Sequence, residues 1–507
     1  MDVLQKTESL STALDWASLK LLLPHGIIAA VIVLLMLAIA IKRNHFSATL
    51  ISTAGLISAS VVASIQLVSQ LLAANDAADR IFVTPLFAVD SMSVFFVSLL
   101  CFSALAIAIS AYAYFSRAQE AKEEFQLLLL LATLGAITLA SANHFASVII
   151  GLEMLSMALY GMIAYRIHMT NGGAASLEGA IKYLVLSAVA TATMLFGTAL
   201  IYAESGTLVM NELSSGTASP ILIAGFVMLI AGVAFKLSLV PFQLWTPDVY
   251  QGGPLPAVAF LATLGKVAVV AFLIRLLLIS GLLTVYAMWQ LIALVAVASI
   301  IIGNLLALRQ TNLKRLLAFS SVAHMGYLLV AILSSSLSTD SFAAALLYIT
   351  VYSLLSLGAF SCISMVSSSE AEVDELANFA GLFWRDPWLA AAMSLMMFGL
   401  AGIPLTAGFI AKFKVFFVGV SAAEWGLLIA LIVGSVIGLF YYLRVIFTML
   451  MQSDSEELLA ELIPLRIVDL DSTGLVIVIA ATSVAVLLLG VYPEPVLQLM
   501  DRVATGF

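Results

Sequence analysis

Apolar runs long enough to cross a lipid bilayer recur from about Pro24 almost to the end of the chain, and no other feature limits the fold so severely. A hydrocarbon core of about 30 Å takes roughly 20 helical residues to span. In that solvent every backbone N–H and C=O must find its partner inside the protein, which leaves helical bundles and closed barrels. The runs are continuous and lack the apolar/polar alternation of barrel strands. An all-α polytopic membrane protein is therefore expected. Only 10% of the 507 residues are charged and 63% are hydrophobic, against about a quarter charged in a soluble domain, so there is no room for a sizeable soluble unit.

Set against the polar breaks, the runs resolve into about fourteen helices. They centre near Val33, Val61, Val97, Leu134, Ser156, Ala192, Leu229, Ala268, Val295, Tyr327, Leu354, Phe398, Ile437 and Ala481. The polar stretch Met1 to Lys20 and the run after it carry no convincing small-residue cleavage site, so the first span is expected to stay as an uncleaved anchor.

Orientation follows from the basic residues in the short loops. With the N-terminus outside, the cytoplasmic loops receive Lys42, Arg43, Arg117, Lys122, Arg166, Arg309, Lys314, Arg315, Arg385, Arg444 and Arg466. The outer side receives Lys6, Lys20, Arg80, Arg275, Lys414 and Arg502. Eleven against six puts both termini outside for an even number of spans. The four that complete the 21 basic residues, Lys182, Lys236, Lys266 and Lys412, fall inside spans. The net charge of −8 sits mostly in loops and points to no partner, nucleic acid included.

Those buried charges are costly. An ionised residue at mid-bilayer costs at least ~2.5–3.5 kcal/mol, so the four lysines and Glu153 together cost on the order of 12 kcal/mol or more. Lys236 follows the apolar stretch Ile221 to Phe235, and Lys266 lies between Leu255 to Gly265 and Val267 to Ile274, beyond easy reach of water. Burial and an approaching carboxylate act on a lysine's proton affinity in opposite directions. A lysine beside a movable acid can therefore load and release a proton, and Glu153 is the obvious acid. Packing-satisfied ion pairs are the alternative for these groups. Lys182 lies only a few residues into its span, where an end lysine reaching the headgroups is the alternative.

Further polar residues extend such a path. Ser320, His324 and Tyr327 share one helical face, as Tyr348, Tyr352 and Ser356 do on the next span. His324 is the histidine well inside a span and could relay a proton, with a plain interhelical hydrogen bond as its alternative. Proline follows Lys236 at 241 and 247, while Gly402, Pro404 and Gly408 precede Lys412. The two lysines are 176 residues apart, and a similar offset brings Glu153 near His324 and Lys266 near Arg444. An inverted repeat with broken helices at matching places would produce this pattern. Cys101 and Cys362 lie far apart without metal-ligand spacing, and there is no phosphate-cradling loop, haem pattern or nucleophile elbow. The energy for transport is expected from another chain.

The stretch from Phe235 to Gly252, FKLSLVPFQLWTPDVYQG, and that from Asn143 to Met154, NHFASVIIGLEM, closely resemble the subunit N family of bacterial NADH-quinone oxidoreductase, respiratory complex I. The resemblance continues in Gln310 to Arg315, Ser320 to Tyr327 and Gly402 to Phe413, and covers nearly the whole chain. It implies an antiporter-like subunit of fourteen helices with two inverted five-helix repeats and broken seventh and twelfth helices. The single membrane domain, 1–507, would then divide into N-terminal helices over 24–115, a first repeat over 125–280, a second over 283–451 and a C-terminal helix over 472–495.

By the same resemblance Glu153 is the switching acid, Lys236 the central proton carrier, Lys182 and Lys266 connectors, and Lys412 the exit-side carrier. The related subunits L and M resemble this chain less around Trp245 to Gly252, and subunit M usually has an acid where Lys412 stands. One departure is Gln243, where relatives often carry histidine.

The expected function is proton translocation as part of an NADH:quinone oxidoreductase in a bacterial inner membrane. Subunits of the M and K types are the expected neighbours. This chain itself is expected to bind no cofactor or metal; NADH, FMN, iron-sulfur clusters and quinone belong to partner subunits. A subunit of a multisubunit cation/proton antiporter is the chief alternative, and a purely structural membrane subunit the third.

Overall fold

The computed structural model describes residues 19–73, 81–116, 122–167, 172–213, 219–334, 338–367, 372–451 and 470–506. Residues 1–18 of the polar stretch ahead of the first span, Lys6 among them, and the loop residues Arg80, Arg117 and Arg466 lie outside them.

Helices α1 (Leu23–Ile41) and α2 (His45–Ala73) precede a short hairpin of β1 (Ile81–Thr84) and β2 (Phe87–Val89). Then come α3 (Ser91–Phe115), α4 (Lys122–Ala140), α5 (Phe145–Ile163), α6 (Gly173–Ser205), α7 (Pro220–Lys236) and the short α8 (Trp245–Gly252). The single rod α9 (Leu255–Ser280) contains a π turn at Leu261–Gly265. It leads to α10 (Tyr286–Leu308), α11 (Leu313–Leu333), α12 (Thr339–Val366), α13 (Pro387–Ala401), α14 (Ala407–Ser421), α15 (Trp425–Leu450), α16 (Leu470–Val491) and α17 (Glu494–Thr505).

Among the described residues twelve helices are long and apolar enough to cross a membrane. Every expected span centre falls within a helix, but those at Leu229 and Phe398 fall on α7 and α13, which are shorter. Each of these two stops at an unwound segment, 237–244 and 402–406, followed by a second short helix. The local cause is legible. Pro241 cannot donate to a helical ladder, and Gly402 takes the left-handed conformation (φ 84°) that commonly ends helices.

The helix starts follow the chain's polar punctuation. Asp90 caps α3 by accepting from Ser93 N, Ser219 caps α7 ahead of Pro220, and Asn312 caps α11 by accepting from Arg315 N. Such caps satisfy N–H groups that the helix itself leaves without a partner. Sequential helices pack in pairs, α2 on α3, α4 on α5, α6 on α7 and α10 on α11, while α12 runs through the middle against α11, α13, α14, α16 and α17. The rod α9 is wholly buried, and α11 and α12 nearly so. They form the core, with α1 and α16 outermost. One end of the bundle, called the basic end below, carries Arg43, Arg166, Lys314, Arg315 and Arg444; the hairpin and α17 lie at the other.

Three charges read as loop cations are in fact buried. Arg275 lies inside α9, paired through both terminal nitrogens with Asp90 at 2.8 and 2.9 Å. Lys314 and Arg166 both reach Glu372 Oε2 at 2.7 Å. Glu372 Oε1 also accepts from Tyr114 OH at 2.5 Å and from Leu255 N at 3.0 Å. Lysine and arginine placed just inside a helix end look like loop residues in sequence, because the acid that draws them inward is distant. The result is that α9 is pinned at both ends, by Glu372 at Leu255 and by Asp90 at Arg275.

Candidate functional site

Lys236 is the last residue of α7, where the helix stops and its side chain turns into the bundle. The buried ammonium donates to Ser156 Oγ on α5 and to Ser187 Oγ on α6, each at 2.6 Å. Glu153 lies three residues before Ser156 and so on the same face of α5. Its Oε1 is shut off from solvent with no hydrogen-bond partner. No ion pair joins it to Lys236 among the described residues. The acid expected beside the lysine is therefore nearby and uncommitted.

Lys182 is placed differently. It sits half-exposed on α6, its Nζ 2.6 Å from both Glu178 Oε1 and Asp248 Oδ2. Asp248, on α8, also receives Arg315 Nη1 at 2.8 Å. The end lysine is thus one cation of a surface ion network that holds α8, just beyond the unwound segment, to α6 and α11.

Lys266 follows the π turn directly, a helical irregularity frequent at functional sites. It is 1% exposed and donates to Ser321 Oγ on α11 at 2.8 Å. Three residues on, His324 uses both ring nitrogens, Nδ1 with Tyr348 OH at 2.8 Å and Nε2 with Tyr442 OH at 3.0 Å. The Tyr442 hydroxyl also bonds Ser320 Oγ. A neutral imidazole held this way donates at one nitrogen and accepts at the other, the arrangement a relay needs. Tyr327, expected on the same stripe, instead turns its hydroxyl to Asn304 Nδ2 at 2.9 Å.

Lys412 lies in the second turn of α14 and reaches back to the end of α13. Its ammonium donates to the carbonyls of Leu400 and Ala401, each at 2.9 Å, and stands 5.3 Å above the Tyr327 ring. A helix that ends leaves its last carbonyls open and carries partial negative charge there, so the stop after α13 makes the cation's seat. Gly402 keeps that seat clear: a Cβ there would come within 2.8 Å of Lys412 Cδ. A void of about 10 Å³ lies among His324, Tyr348, Tyr352 and Lys412, the size that admits one water. Both unwound segments hold a non-glycine residue in the left-handed region, Ser238 (φ 61°) and Leu405 (φ 73°). Such residues store on the order of 1–3 kcal/mol and persist where the surroundings enforce them.

The buried lysines were thus legible in sequence, and their partners were not. Ser156, Ser187 and Ser321 are ordinary membrane-helix serines, and backbone carbonyls carry no signature at all. Tyr442, Asn304 and Asp248 were also missed; only Asp248 had a cue, as an acid between two prolines' reach and a tyrosine in an otherwise apolar region. Among the described residues no group of three or more His, Cys, Asp or Glu side chains is placed to hold a metal ion. Cys101 and Cys362 are buried and unpaired with each other.

A family model described as NADH:quinone oxidoreductase/Mrp antiporter, transmembrane, matches residues 142–438, the region from the hairpin side of α5 to the middle of α15. A chain of respiratory complex I from Thermus thermophilus, solved with bound aureothin, is similar at 32% identity and a TM-score of 0.77, over 94% of this chain and 98% of that one. Two further structures share the fold: a chain of an archaeal membrane-bound sulfane sulfur reductase (21% identity, TM-score 0.81, 96% and 97% covered) and one of the Mrp complex from Dietzia sp. DQ12-45-1b (19%, 0.80, 96% and 97%). With more than half of its length matched, and the buried lysines lying inside the matched region, this chain belongs to the NADH:quinone oxidoreductase/Mrp antiporter transmembrane family.

Proposed function

We propose that this chain carries protons across the membrane as one subunit of a larger energy-converting assembly. The observation that carries the reading is the set Lys236, Lys266 and Lys412: buried ammonium groups held by hydroxyls or carbonyls instead of carboxylates. A group that only locks helices needs its counter-ion beside it, as Arg275 has in Asp90. Hydroxyls and carbonyls steady an ammonium yet let its proton go.

In this reading Glu153 is the switching acid, Lys236 the central carrier, Lys182 and Lys266 connectors, and Lys412 the exit-side carrier. His324 relays between them, with one water in the void beside Lys412 completing the link. The fold would comprise fourteen spans in two inverted five-helix repeats, over 125–280 and 283–451, with 24–115 ahead and 472–495 behind. The pairs α7/α8 and α13/α14 would be the two interrupted spans, which place open backbone groups and water at mid-membrane. The basic end would face the cytoplasm of a bacterium and both termini the outside.

The narrower reading is subunit N of complex I, driven by NADH-to-quinone electron transfer in other subunits, with M- and K-type subunits as neighbours. Its support is the identity with the Thermus thermophilus chain and the Phe235 to Gly252 motif. The second reading, a subunit of a cation/proton antiporter, is favoured by the family description, which names both kinds of machine. Either way the lysines carry the protons.

The test is proton uptake by membrane vesicles carrying Lys236→Ala in the otherwise intact complex, driven by NADH and, separately, by a Na⁺ gradient, with assembly checked by native electrophoresis. Loss of uptake in an assembled complex supports the reading, and the driving force that works selects between its two forms. Unchanged uptake under both overturns the carrier role and favours a structural subunit.

A further inference from the structure

Two acids meet one lysine on α6, and only one of them belongs to the same helix. Lys182 Nζ stands 2.6 Å from Glu178 Oε1, one turn earlier on α6, and 2.6 Å from Asp248 Oδ2 on α8. Asp248 has a second cation of its own, since its Oδ1 accepts from Arg315 Nη1 on α11 at 2.8 Å. Separating Lys182 from Asp248 therefore strands neither charge: the lysine keeps Glu178 and the aspartate keeps Arg315. The two side chains are also 40% and 29% exposed, so water is at hand when they part. An ion pair in that position contributes little net stability.

The other contacts of α8 are unequal. Its far end is clasped by the first turn of α11, where Lys314 Nζ donates to Gly253 O at 2.8 Å and Arg315 Nη1 to Gln251 Oε1 at 3.0 Å. Toward the start of α6 the approach is backbone on backbone. A Cβ on Gly252 would run into the Ala175 carbonyl, and one on Gly179 would stand 3.3 Å from Asp248 O, so no side chain at these two positions keys the helices together. With Lys182 released, α8 stays with α11 and parts from α6.

Behind this seam lies the seat of Lys236. Trp245 opens α8; its ring is centred 4.9 Å from that of Tyr183 on α6 and 5.2 Å from that of Phe235 on α7, and its Nε1 donates to Phe235 O at 3.2 Å. Phe235 immediately precedes Lys236. Ser187, one turn after Tyr183 on α6, holds the Lys236 ammonium at 2.6 Å. Trp245 is 2% exposed while the seam is shut. When α8 leaves α6, Trp245 leaves Tyr183, and the seat one turn further along is opened toward the basic end.

Resting on the proton-carrier reading above, we propose that Asp248 is a positioning residue whose contact with Lys182 is a releasable latch. Shut, it closes α8 over the seat of Lys236; with Lys182 withdrawn to Glu178, it opens that seat to the basic end.

The experiment is amide hydrogen exchange, read by mass spectrometry in peptides spanning 237–252 of the intact, undriven complex, because exchange reports local opening. The two acids are expected to act in opposite directions. Asp248→Asn removes the latch's carboxylate, and exchange should run severalfold faster than in wild type. Glu178→Gln removes the partner to which Lys182 withdraws and leaves Asp248 as its acid, so exchange should run severalfold slower. A network that merely braces the helices gives faster exchange in both. Should the asparagine variant fail to assemble, Lys182→Gln breaks the same contact from the other side and is expected to speed exchange likewise.

Effects of the same sign, or no effect of either acid, overturn the proposal. Driven proton uptake by vesicles carrying each acid variant should fall severalfold, since transport needs the latch both shut and open; unchanged uptake in both also overturns it. Lys236→Ala in the same assay judges the carrier reading separately. If that variant takes up protons normally while the exchange effects stay opposed, the latch stands and the carrier reading falls.

Discussion

Replacing Asp90 by alanine should damage this protein far more than a change at a helix terminus ordinarily does. Two interactions meet in its carboxylate. It caps α3 by accepting from Ser93 N at 2.8 Å, and loss of such a cap costs about 1 kcal/mol. It also holds both terminal nitrogens of Arg275, with each side chain 1% exposed. Removing one partner of a buried pair strands the other charge and costs about 3–5 kcal/mol. The sum, about 4–6 kcal/mol, is a large part of the ~5–15 kcal/mol typical of a folded protein.

The stranded charge, not the cap, dominates, so adding Arg275→Met should return about 3 kcal/mol or more of that loss. Detergent-solubilised protein unfolded by heat or by SDS, followed by tryptophan fluorescence, measures both variants. If Asp90→Ala loses only the cap's share, or if the double variant is no more stable than the single, the buried pair does not hold α9 in the way described.

Glu372→Gln should cost a comparable ~3–5 kcal/mol, because it leaves Arg166 and Lys314 facing each other without their acid. Lys314→Met should cost less, since a one-to-one pair with Arg166 remains; the order of the two melting temperatures checks this, and the reverse order contradicts it. His144 caps α5 through Nδ1, which accepts from Ala146 N at 3.0 Å. Burial holds its imidazole below the ordinary value of 6.5, with Glu212 pulling the other way. The folded state therefore binds fewer protons there than the unfolded. Its contribution is complete above 6.5 and is lost as pH falls through the lowered folded value. A pH series of melting temperatures should fall more steeply on the acid side for wild type than for His144→Asn, which keeps a capping oxygen; identical slopes would count against the cap.

The bundle was readable because the bilayer leaves the chain so few options: runs of apolar residues longer than a span can hardly be anything but helices. The same logic exposed Lys236, Lys266 and Lys412, since a lysine amid apolar residues is conspicuous wherever its partner lies. Partners are another matter. Ser187 is 49 positions from Lys236 and Tyr442 is 118 from His324, and neither residue type is unusual in a membrane helix. Arg166, Lys314 and Arg275 were misplaced for a related reason. Position near a helix end predicts solvent, and only the distant Glu372 and Asp90 reverse it. Tyr327 kept its predicted face yet spends its hydroxyl on Asn304, because a stripe defines which way a side chain points without defining which of its neighbours it meets.

The cluster around Glu372 also imposes an order on the making of the protein. Translation runs from the N-terminus, so Arg166 and Lys314 leave the ribosome 206 and 58 residues before the acid that will hold them. Over those stretches of synthesis neither cation has its acid, and a basic residue at a helix end resists slipping into the membrane. Only after α12 has crossed does Glu372 arrive and draw both inward, together with the first turn of α9. The charges made first are thus sealed inside the bundle by one made later, and the basic end closes only after α12 is in place.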